Sequence, residues 1–139
     1  MKITTQNSLG FALTTTLNTL RKHFNNSLKE FNISSEQYTV MKLLEEYKKL
    51  TPSEIAKFLR RDKANITRIV NALLKKDLIE KESVNKKSYK IKLTNKGYEI
   101  LKQAEDIALE YNDEKIKKLV GEDTYNFLIE KLTIIREGF

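Results

Sequence analysis

The sequence predicts a mainly α-helical protein that carries one small β-hairpin, and three observations lead to that prediction. Apolar residues recur every three or four positions near both ends, over about residues 7–31 and 122–137. Two short central segments, 51–59 and 62–76, each begin with a residue that is typical of helix N-caps. Residues 78–93 contain two runs that alternate between apolar and polar side chains, as paired strands do. The only predicted strands therefore lie near the middle of a chain of helices.

Charge is distributed unevenly along the 139 residues. Residues 33–96 hold 16 basic and 8 acidic side chains, whereas residues 97–139 hold 6 basic and 10 acidic ones. The net charge of +7 is therefore concentrated in the middle, which favours a polyanionic partner such as nucleic acid. A solvated, lysine-rich surface is the alternative interpretation, because 21 of the 26 cations are lysine.

The composition also argues against several classes of function. The chain has no cysteine and a single histidine, His23, so thiol chemistry is excluded and a zinc site is disfavoured. No apolar run approaches the roughly 20 residues of a membrane span, and the N-terminus lacks a signal-peptide core. We find no nucleophile with a paired base and no glycine-rich phosphate loop. The expectation is a cytoplasmic protein that is not an enzyme and uses no metal or cofactor.

The N-terminal part is predicted to form two helices. Leucine and phenylalanine recur at helical spacing between Leu9 and Phe31, and we expect part of this apolar face to contact the far end of the chain or a second copy. Ser34, followed three residues later by Gln37, predicts a capping box that starts the second helix. That helix is expected to end near Lys48, because cations suit the C-terminal end of the helix dipole.

Two short helices joined by a tight turn are predicted next. Thr51 is the expected N-cap of the first, with Pro52 as its first helical residue and Glu54 as the capping-box partner. After a break of about three residues, Asp62 is the expected N-cap of the second helix. The apolar residues expected to face inward are Ile55, Ala56, Phe58, Leu59, Ile66, Ile69, Val70, Leu73 and Leu74. The opposite face of the second helix is polar and cationic, which predicts a helix-turn-helix that enters the major groove of DNA.

A β-hairpin and two further helices complete the predicted fold. Residues 78–93 form the hairpin around a tip at 84–87, and a hairpin in this place is a wing. The following helix covers about residues 94–120 and is interrupted at Gly121, and the last helix spans about residues 122–137. The fold class predicted from the residues is therefore a winged helix-turn-helix lobe flanked by amphipathic helices from both termini.

Five short motifs follow one another along the central part of the chain. They are ISSEQY at 33–38, LTPSEIA at 50–56, DKANITR at 62–68, LLKKDLI at 73–79 and LTNKG at 93–97. In this order and spacing they resemble the MarR family of bacterial transcription regulators. The chain departs from the family pattern at the wing tip, where Asn85-Lys86-Lys87 replaces an Asp-x-Arg type of sequence. It departs again at Arg60, where the family often has glycine.

The resemblance implies a homodimer that binds a pseudo-palindromic DNA site as a transcription regulator, and a repressor is expected. Residues 1–32 would form one dimerisation helix, residues 33–96 the DNA-binding lobe, and residues 97–139 the remaining dimerisation helices. The expected partners are double-stranded DNA, a second copy of the chain, and a small organic anion or aromatic effector that releases the DNA. No membrane partner is expected.

Candidate site residues follow from this interpretation. Base edges are assigned to Ala64, Asn65 and Arg68, because arginine suits guanine and asparagine suits adenine. The side chains expected at the DNA backbone are Ser53, Arg60, Arg61, Lys63, Thr67, Lys86, Lys87 and Lys90. The candidates for an effector pocket are His23, Tyr38 and Tyr47, for which an interfacial or core position is the competing interpretation.

A protein-interaction module is the alternative from a different class of function. In that case the basic lobe would dock an acidic protein partner, or the protein would act as an adaptor. The polar face of the helix that follows Asp62 and the lysines of the wing favour DNA over this alternative.

Overall fold

The computed structural model describes all residues 1–139 and contains every helix and strand that the sequence predicts. The elements are α1 (Leu9–Leu28), α2 (Ser35–Tyr47), α3 (Pro52–Leu59), α4 (Lys63–Lys75), β1 (Ile79–Ser83), β2 (Tyr89–Leu93), α5 (Asn95–Leu109), α6 (Lys117–Val120) and α7 (Glu122–Glu137). A 3₁₀ turn, Lys29–Phe31, follows α1. The predicted fold class, mainly α with a small β-hairpin wing, is confirmed.

The predicted helix over residues 94–120 differs from the structure in its middle. A π-helical segment, Glu110–Ile116, joins α5 to α6, and the backbone N–H of Lys117 bonds to the carbonyl of Asn112. Asn112 and Asp113 both have low helix propensity, which favours a change of winding there. The helical course still runs to Val120, and Gly121 ends it with a φ of 85°.

Side-chain caps start the helices of the central region at the predicted residues. Ser34 and Gln37 form a complete capping box on α2, and Thr51 and Glu54 form a second one on α3. The Glu54 carboxylate accepts the backbone N–H of Thr51 at 2.9 Å, and this bond is the main reason why the pKa of Glu54 is lowered. Asp62 caps α4 by accepting the N–H of Asn65 at 2.9 Å.

The hydrophobic core is formed by the central region, residues 33–96, together with the adjoining ends of α1 and α5. Every buried apolar side chain belongs to a residue between Leu28 and Ala104. Of the residues predicted to face inward on α4, three are buried and two are half-buried; the buried ones are Ile66, Val70 and Leu73.

The prediction that Phe58 faces inward on α3 is wrong. The side chain is 43% exposed, and its ring packs against that of Tyr47 with centroids 4.6 Å apart. Phe58 follows Ile55 by three residues, which places it about 60° from Ile55 around the helix axis and therefore at the edge of the buried face.

The wing is an antiparallel pair in which Ile79 faces Leu93 and Ser83 faces Tyr89. Ile91 and Leu93 are buried and Tyr89 is half-buried, as expected for one face of a strand whose side chains alternate. Leu50 and Ile91 exchange two backbone hydrogen bonds, of 3.1 and 2.7 Å. The segment that leads into α3 is thereby attached to the base of the wing.

Two left-handed residues bracket α4. Arg60 has a φ of 55° between α3 and α4, and Asp77 has a φ of 58° just after α4. Asparagine, aspartate and glycine are the residues that adopt this region at least cost, so aspartate suits position 77. Arg60 adopts the conformation that glycine usually supplies, and the helix-turn-helix keeps its three-residue connection.

Backbone contacts divide the chain into two compact units, residues 1–104 and residues 105–139. The second unit consists of helices that turn at Gly121, and none of its side chains is buried. On α7, several of the apolar side chains that recur at helical spacing are exposed in this chain: Leu128 at 43%, Ile129 at 53% and Ile135 at 39%. None of the helices has the combination of length and apolarity that a membrane crossing requires.

Candidate nucleic-acid interface

Helix α4 presents two chemically different faces. Ile66, Val70 and Leu73 anchor one face in the core, so the rotation of the helix about its axis is fixed. The residues that remain exposed on the other face are Lys63, Ala64, Thr67, Arg68 and Asn71. Arg68 lies one turn after Ala64 on this face, where a long side chain extends away from the protein.

Asn65, which was predicted to contact a base, sits at the border of this face. The residue is half-buried, and its Oδ1 atom is enclosed without a hydrogen-bond partner. A bidentate contact to adenine needs both the oxygen and the nitrogen of the amide. The side chain must therefore rotate outward to make such a contact, and an enclosed, unpaired oxygen favours that rotation because leaving it unpaired costs about 1–3 kcal/mol.

The smaller polar residues predicted at the DNA backbone lie near the N-terminal ends of α3 and α4. Ser53 is exposed in the first turn of α3. Thr67 is exposed, and its hydroxyl donates to the carbonyl of Lys63 at 2.9 Å, which leaves the oxygen lone pairs able to accept but uses the proton. Lys63 is exposed at the first position of α4, where its ammonium is available to an anion.

The two arginines of the turn differ in their surroundings. Arg60 is exposed, and its guanidinium donates to the carbonyl of Lys57 at 3.1 Å. Arg61 is half-buried, and its Nη2 lies 3.4 Å from Oε2 of Glu36 on α2. A phosphate that contacts Arg61 must therefore compete with a carboxylate of the same chain.

The wing tip is ordered by Asn85. Its Oδ1 accepts the backbone N–H groups of Lys87 and Ser88 at 2.9 and 3.0 Å, which is a local turn typical of asparagine. Lys86 and Lys87 are exposed on this tip. These two hydrogen bonds fix the backbone of the loop that carries the two lysine side chains.

The strand lysines of the wing are less free than those of the tip. Lys92 lies 3.6 Å from Glu80 and 3.9 Å from Glu82, so its charge is partly neutralised. The pKa of Glu82 is lowered, first by its hydrogen bond from Lys49 and to a smaller extent by the charges of Lys92 and Lys90. Lys90 itself is half-buried on β2.

The structure does not bring the three predicted effector residues together. His23 is exposed on α1, Tyr38 packs against Phe24 with ring centroids 5.3 Å apart, and Tyr47 stacks on Phe58. Tyr38 and Tyr47 are nine residues apart on α2, or about 13 Å along its axis.

A cavity of about 590 Å³ lies elsewhere, at the base of the wing, and its lining includes Lys48, Lys49, Lys92, Lys96 and Tyr98. No cluster of acidic and histidine side chains is arranged to hold a metal ion.

Sequence reasoning missed the contacts that hold both ends of α4 to the first turn of α2. Beyond the contact of Arg61 with Glu36, the Lys76 ammonium donates to the carbonyl of Asn32 at 2.6 Å and to Oε1 of Gln37 at 2.9 Å. Burial lowers the pKa of Lys76, as expected for a cation that is removed from water. No local spacing predicts partners that are 25 or 39 residues apart.

A helix-turn-helix with an exposed polar second helix, followed by a two-stranded wing, defines the class of winged helix-turn-helix proteins. Within that class, the model of the MarR family matches residues 33–86. The resemblance to the MarR family that the motifs indicate is therefore confirmed. No curated protein sequence matches the chain.

Solved structures of MarR-type regulators share the fold over nearly the whole chain. The repressor CouR bound to p-coumaroyl-CoA is 22% identical, with a TM-score of 0.87 over 100% of this chain and 99% of CouR. MepR from S. aureus in complex with DNA is 20% identical, with a TM-score of 0.84 over 94% of this chain and 97% of MepR. A mutant of MarR from E. coli in complex with operator DNA is 22% identical, with a TM-score of 0.80 over 95% of this chain and 99% of MarR.

Proposed function

We propose that this protein is a homodimeric, sequence-specific DNA-binding regulator of transcription that acts as a repressor at a pseudo-palindromic operator. The observation that carries the proposal is the α4 face formed by Ala64, Thr67 and Arg68, which is exposed and carries a hydroxyl and a guanidinium, while the opposite face is buried in the core. A helix fixed in rotation and polar on its free side is what major-groove recognition requires.

In this proposal α4 reads bases and its surroundings hold the DNA backbone. Arg68, Ala64 and, after rotation, Asn65 contact base edges in the major groove. The phosphate contacts come from Ser53, Arg60, Arg61, Lys63, Thr67, Lys86, Lys87 and Lys90. The wing contributes charge rather than sequence reading, because lysine lacks the planar, two-pronged guanidinium of arginine.

Dimerisation is assigned to both termini, with residues 1–32 and 97–139 as its elements and residues 33–96 as the DNA-binding lobe. The support is the exposed apolar surface on α1 and α7. On α1, Leu9, Leu13 and Leu17 are between 41 and 53% exposed, and on α7 the side chain of Phe127 is 55% exposed. Contiguous apolar surface of this kind is typical of protein interfaces.

The sign of regulation and the effector rest on the similar proteins. CouR, which shares the fold, is described as a transcriptional repressor and was solved both with DNA and with p-coumaroyl-CoA. We therefore propose repression that a small organic anion or aromatic compound relieves. The protein would act where the DNA is, in the cytoplasm, and would be neither an enzyme nor dependent on a cofactor.

The test is a gel-shift titration with DNA from around the protein's own gene, at two salt concentrations. We expect a discrete complex that is tighter than the complex with scrambled DNA of equal length and that weakens steeply as salt rises. Binding that is indifferent to both salt and sequence would contradict the proposal. That outcome would point instead to a protein-interaction module whose basic lobe docks an acidic partner.

A further inference from the structure

Two arginines from different parts of the chain share the carboxylate of Glu36. Its Oε2 lies 3.4 Å from Nη2 of Arg61, and its Oε1 lies 4.0 Å from Nη1 of Arg21. The three side chains are between 29 and 37% exposed, so water screens the pairs only in part. Glu36 lies in the first turn of α2, Arg61 in the turn before α4, and Arg21 on α1.

The contact between α1 and Glu36 belongs to a longer polar seam. Asn25, one turn after Arg21 on α1, accepts the backbone N–H of Ser35 through its Oδ1 at 2.6 Å. The short Asn25 bond attaches α1 to the first turn of α2 at one point, whereas Arg21, one turn earlier, lies at the outer limit of ion-pair distance from Glu36. A small displacement of α1 therefore changes the Arg21 contact more readily than the Arg61 contact.

The position of Arg61 makes its carboxylate partner important for DNA binding. Arg61 directly precedes Asp62, the N-cap of α4, and the N-terminal end of such a helix approaches the DNA backbone. A guanidinium prefers a phosphate, to which it donates two parallel hydrogen bonds, over one long contact with a carboxylate. DNA and Glu36 thus compete for the same guanidinium.

We infer that Glu36 is an internal counter-anion that occupies Arg61 in the free protein and is displaced by a DNA phosphate. Arg21 keeps hold of Glu36 after the exchange, so the position of α1 sets how easily Arg61 is released. When α1 moves Arg21 away from Glu36, the carboxylate holds Arg61 more strongly and DNA affinity falls. This inference rests on the proposed function, because it assumes that Arg61 meets phosphate.

The first experiment compares Glu36→Gln with Glu45→Gln in affinity titrations on operator and scrambled DNA. Glu45 is a matched control, because it also lies on α2, is similarly exposed, and pairs with a lysine, Lys42, at 2.6 Å. A partly exposed ion pair of this kind corresponds to a change of about two- to five-fold per half-site. We expect Glu36→Gln to raise affinity by that factor on both DNAs, and Glu45→Gln to raise it much less.

A charge-conserving variant removes the effect of net charge. Glu36→Asp keeps the carboxylate but shortens the side chain by one methylene, so it no longer reaches Arg61. We expect Glu36→Asp to raise affinity on both DNAs, although less than Glu36→Gln does. This variant also keeps the inference testable if Glu36→Gln fails to fold, which circular dichroism would reveal.

A double-mutant cycle assigns the effect to Arg61. Arg61→Gln should flatten the dependence of log affinity on log salt by about 0.9 per lost phosphate contact. In that background Glu36→Gln should have no further effect on affinity, because the competition no longer exists. Arg21→Gln should lower affinity in the wild-type background and have much less effect when Glu36 is already Gln.

The outcomes separate this inference from the proposed function. Equal effects of Glu36→Gln and Glu45→Gln, or a Glu36→Gln effect that persists without Arg61, would overturn the counter-anion role while leaving the regulator intact. A wild-type protein that binds no DNA would overturn both. A cycle in which the Glu36 and Arg61 effects depend on each other supports the inference.

Discussion

The central region and the terminal helices solve the problem of burying apolar surface in different ways. Between Leu28 and Ala104 the chain buries its apolar side chains within itself, and residues 105–139 bury none. The central helices begin with side-chain caps, whereas the N-cap of α7 is Gly121, which offers no side chain. The central region thus carries its own core, while α7 and the first half of α1 expose apolar surface in this chain.

Charge follows the same division. The basic excess lies in residues 33–96 and the acidic excess in residues 97–139. A basic excess attracts a polyanion such as DNA, and an acidic excess does not compete for it. The difference teaches that the two functions proposed for this chain, recognition and assembly, rest on separate stretches of sequence.

The largest expected effect comes from removing residues 1–20. This deletion takes away the exposed Leu9, Leu13 and Leu17 together with most of α1, so we expect aggregated or unfolded protein. Deleting only residues 1–7, which precede the N-cap Ser8, is the control and should leave the assembly unchanged. Size-exclusion chromatography with light scattering gives the mass, and a folded, soluble monomer from the longer deletion would break the comparison.

An added methyl group should have opposite effects on stability in the tightly packed central region and on the exposed helix α1. A Cβ at Gly97 would lie 2.0 Å from the carbonyl oxygen of Leu78, so Gly97→Ala should destabilise the protein by about 1–3 kcal/mol or more. Gly10 on α1 has only Ser8 Oγ nearby, at 3.8 Å, and Gly10→Ala should stabilise by about 0.5–1 kcal/mol. Urea unfolding measures both, and equal effects would refute the packing argument.

The capping box of α3 predicts a smaller, pH-dependent effect. The pKa of Glu54 is lowered from its ordinary value of 4.5, chiefly by the hydrogen bond from the Thr51 backbone. Its stabilising contribution is therefore complete above pH 4.5 and is lost as the pH falls below that value. At pH 7, Glu54→Gln should be less stable by about 0.3–1 kcal/mol. Urea titrations at pH 7 and pH 3 should show the gap closing, and a gap that widens on acidification would reverse the sign.

Local chemistry explains why so much of the fold was predictable. Ser34, Thr51 and Asp62 cap helices through bonds that span three residues, and such signals are written in adjacent sequence. The outward position of Phe58 was not predictable from its apolar character, because it depends on Tyr47 in another helix.

The exposed residues of the candidate site were predictable from the sequence, but the contacts of its side chains with other helices were not. The exposed face with Ala64 and Arg68 follows from helical periodicity. The partners of Arg61 and Lys76 follow from how α2 meets the ends of α4, which the sequence pattern does not encode locally. The base and phosphate contacts themselves remain predictions.

The most direct test of the account separates α4 from the wing on DNA. Arg68→Ala and the double variant Lys86→Ala with Lys87→Ala are titrated against operator and scrambled duplex across a salt series. Arg68→Ala should lose about 1–3 kcal/mol per half-site on the operator and much less on scrambled DNA, with little change in salt slope. The wing variant should weaken both complexes similarly and flatten the slope by about 0.9 per lost phosphate contact. A wing variant that loses discrimination while Arg68→Ala keeps it would contradict the assignment of base reading to α4.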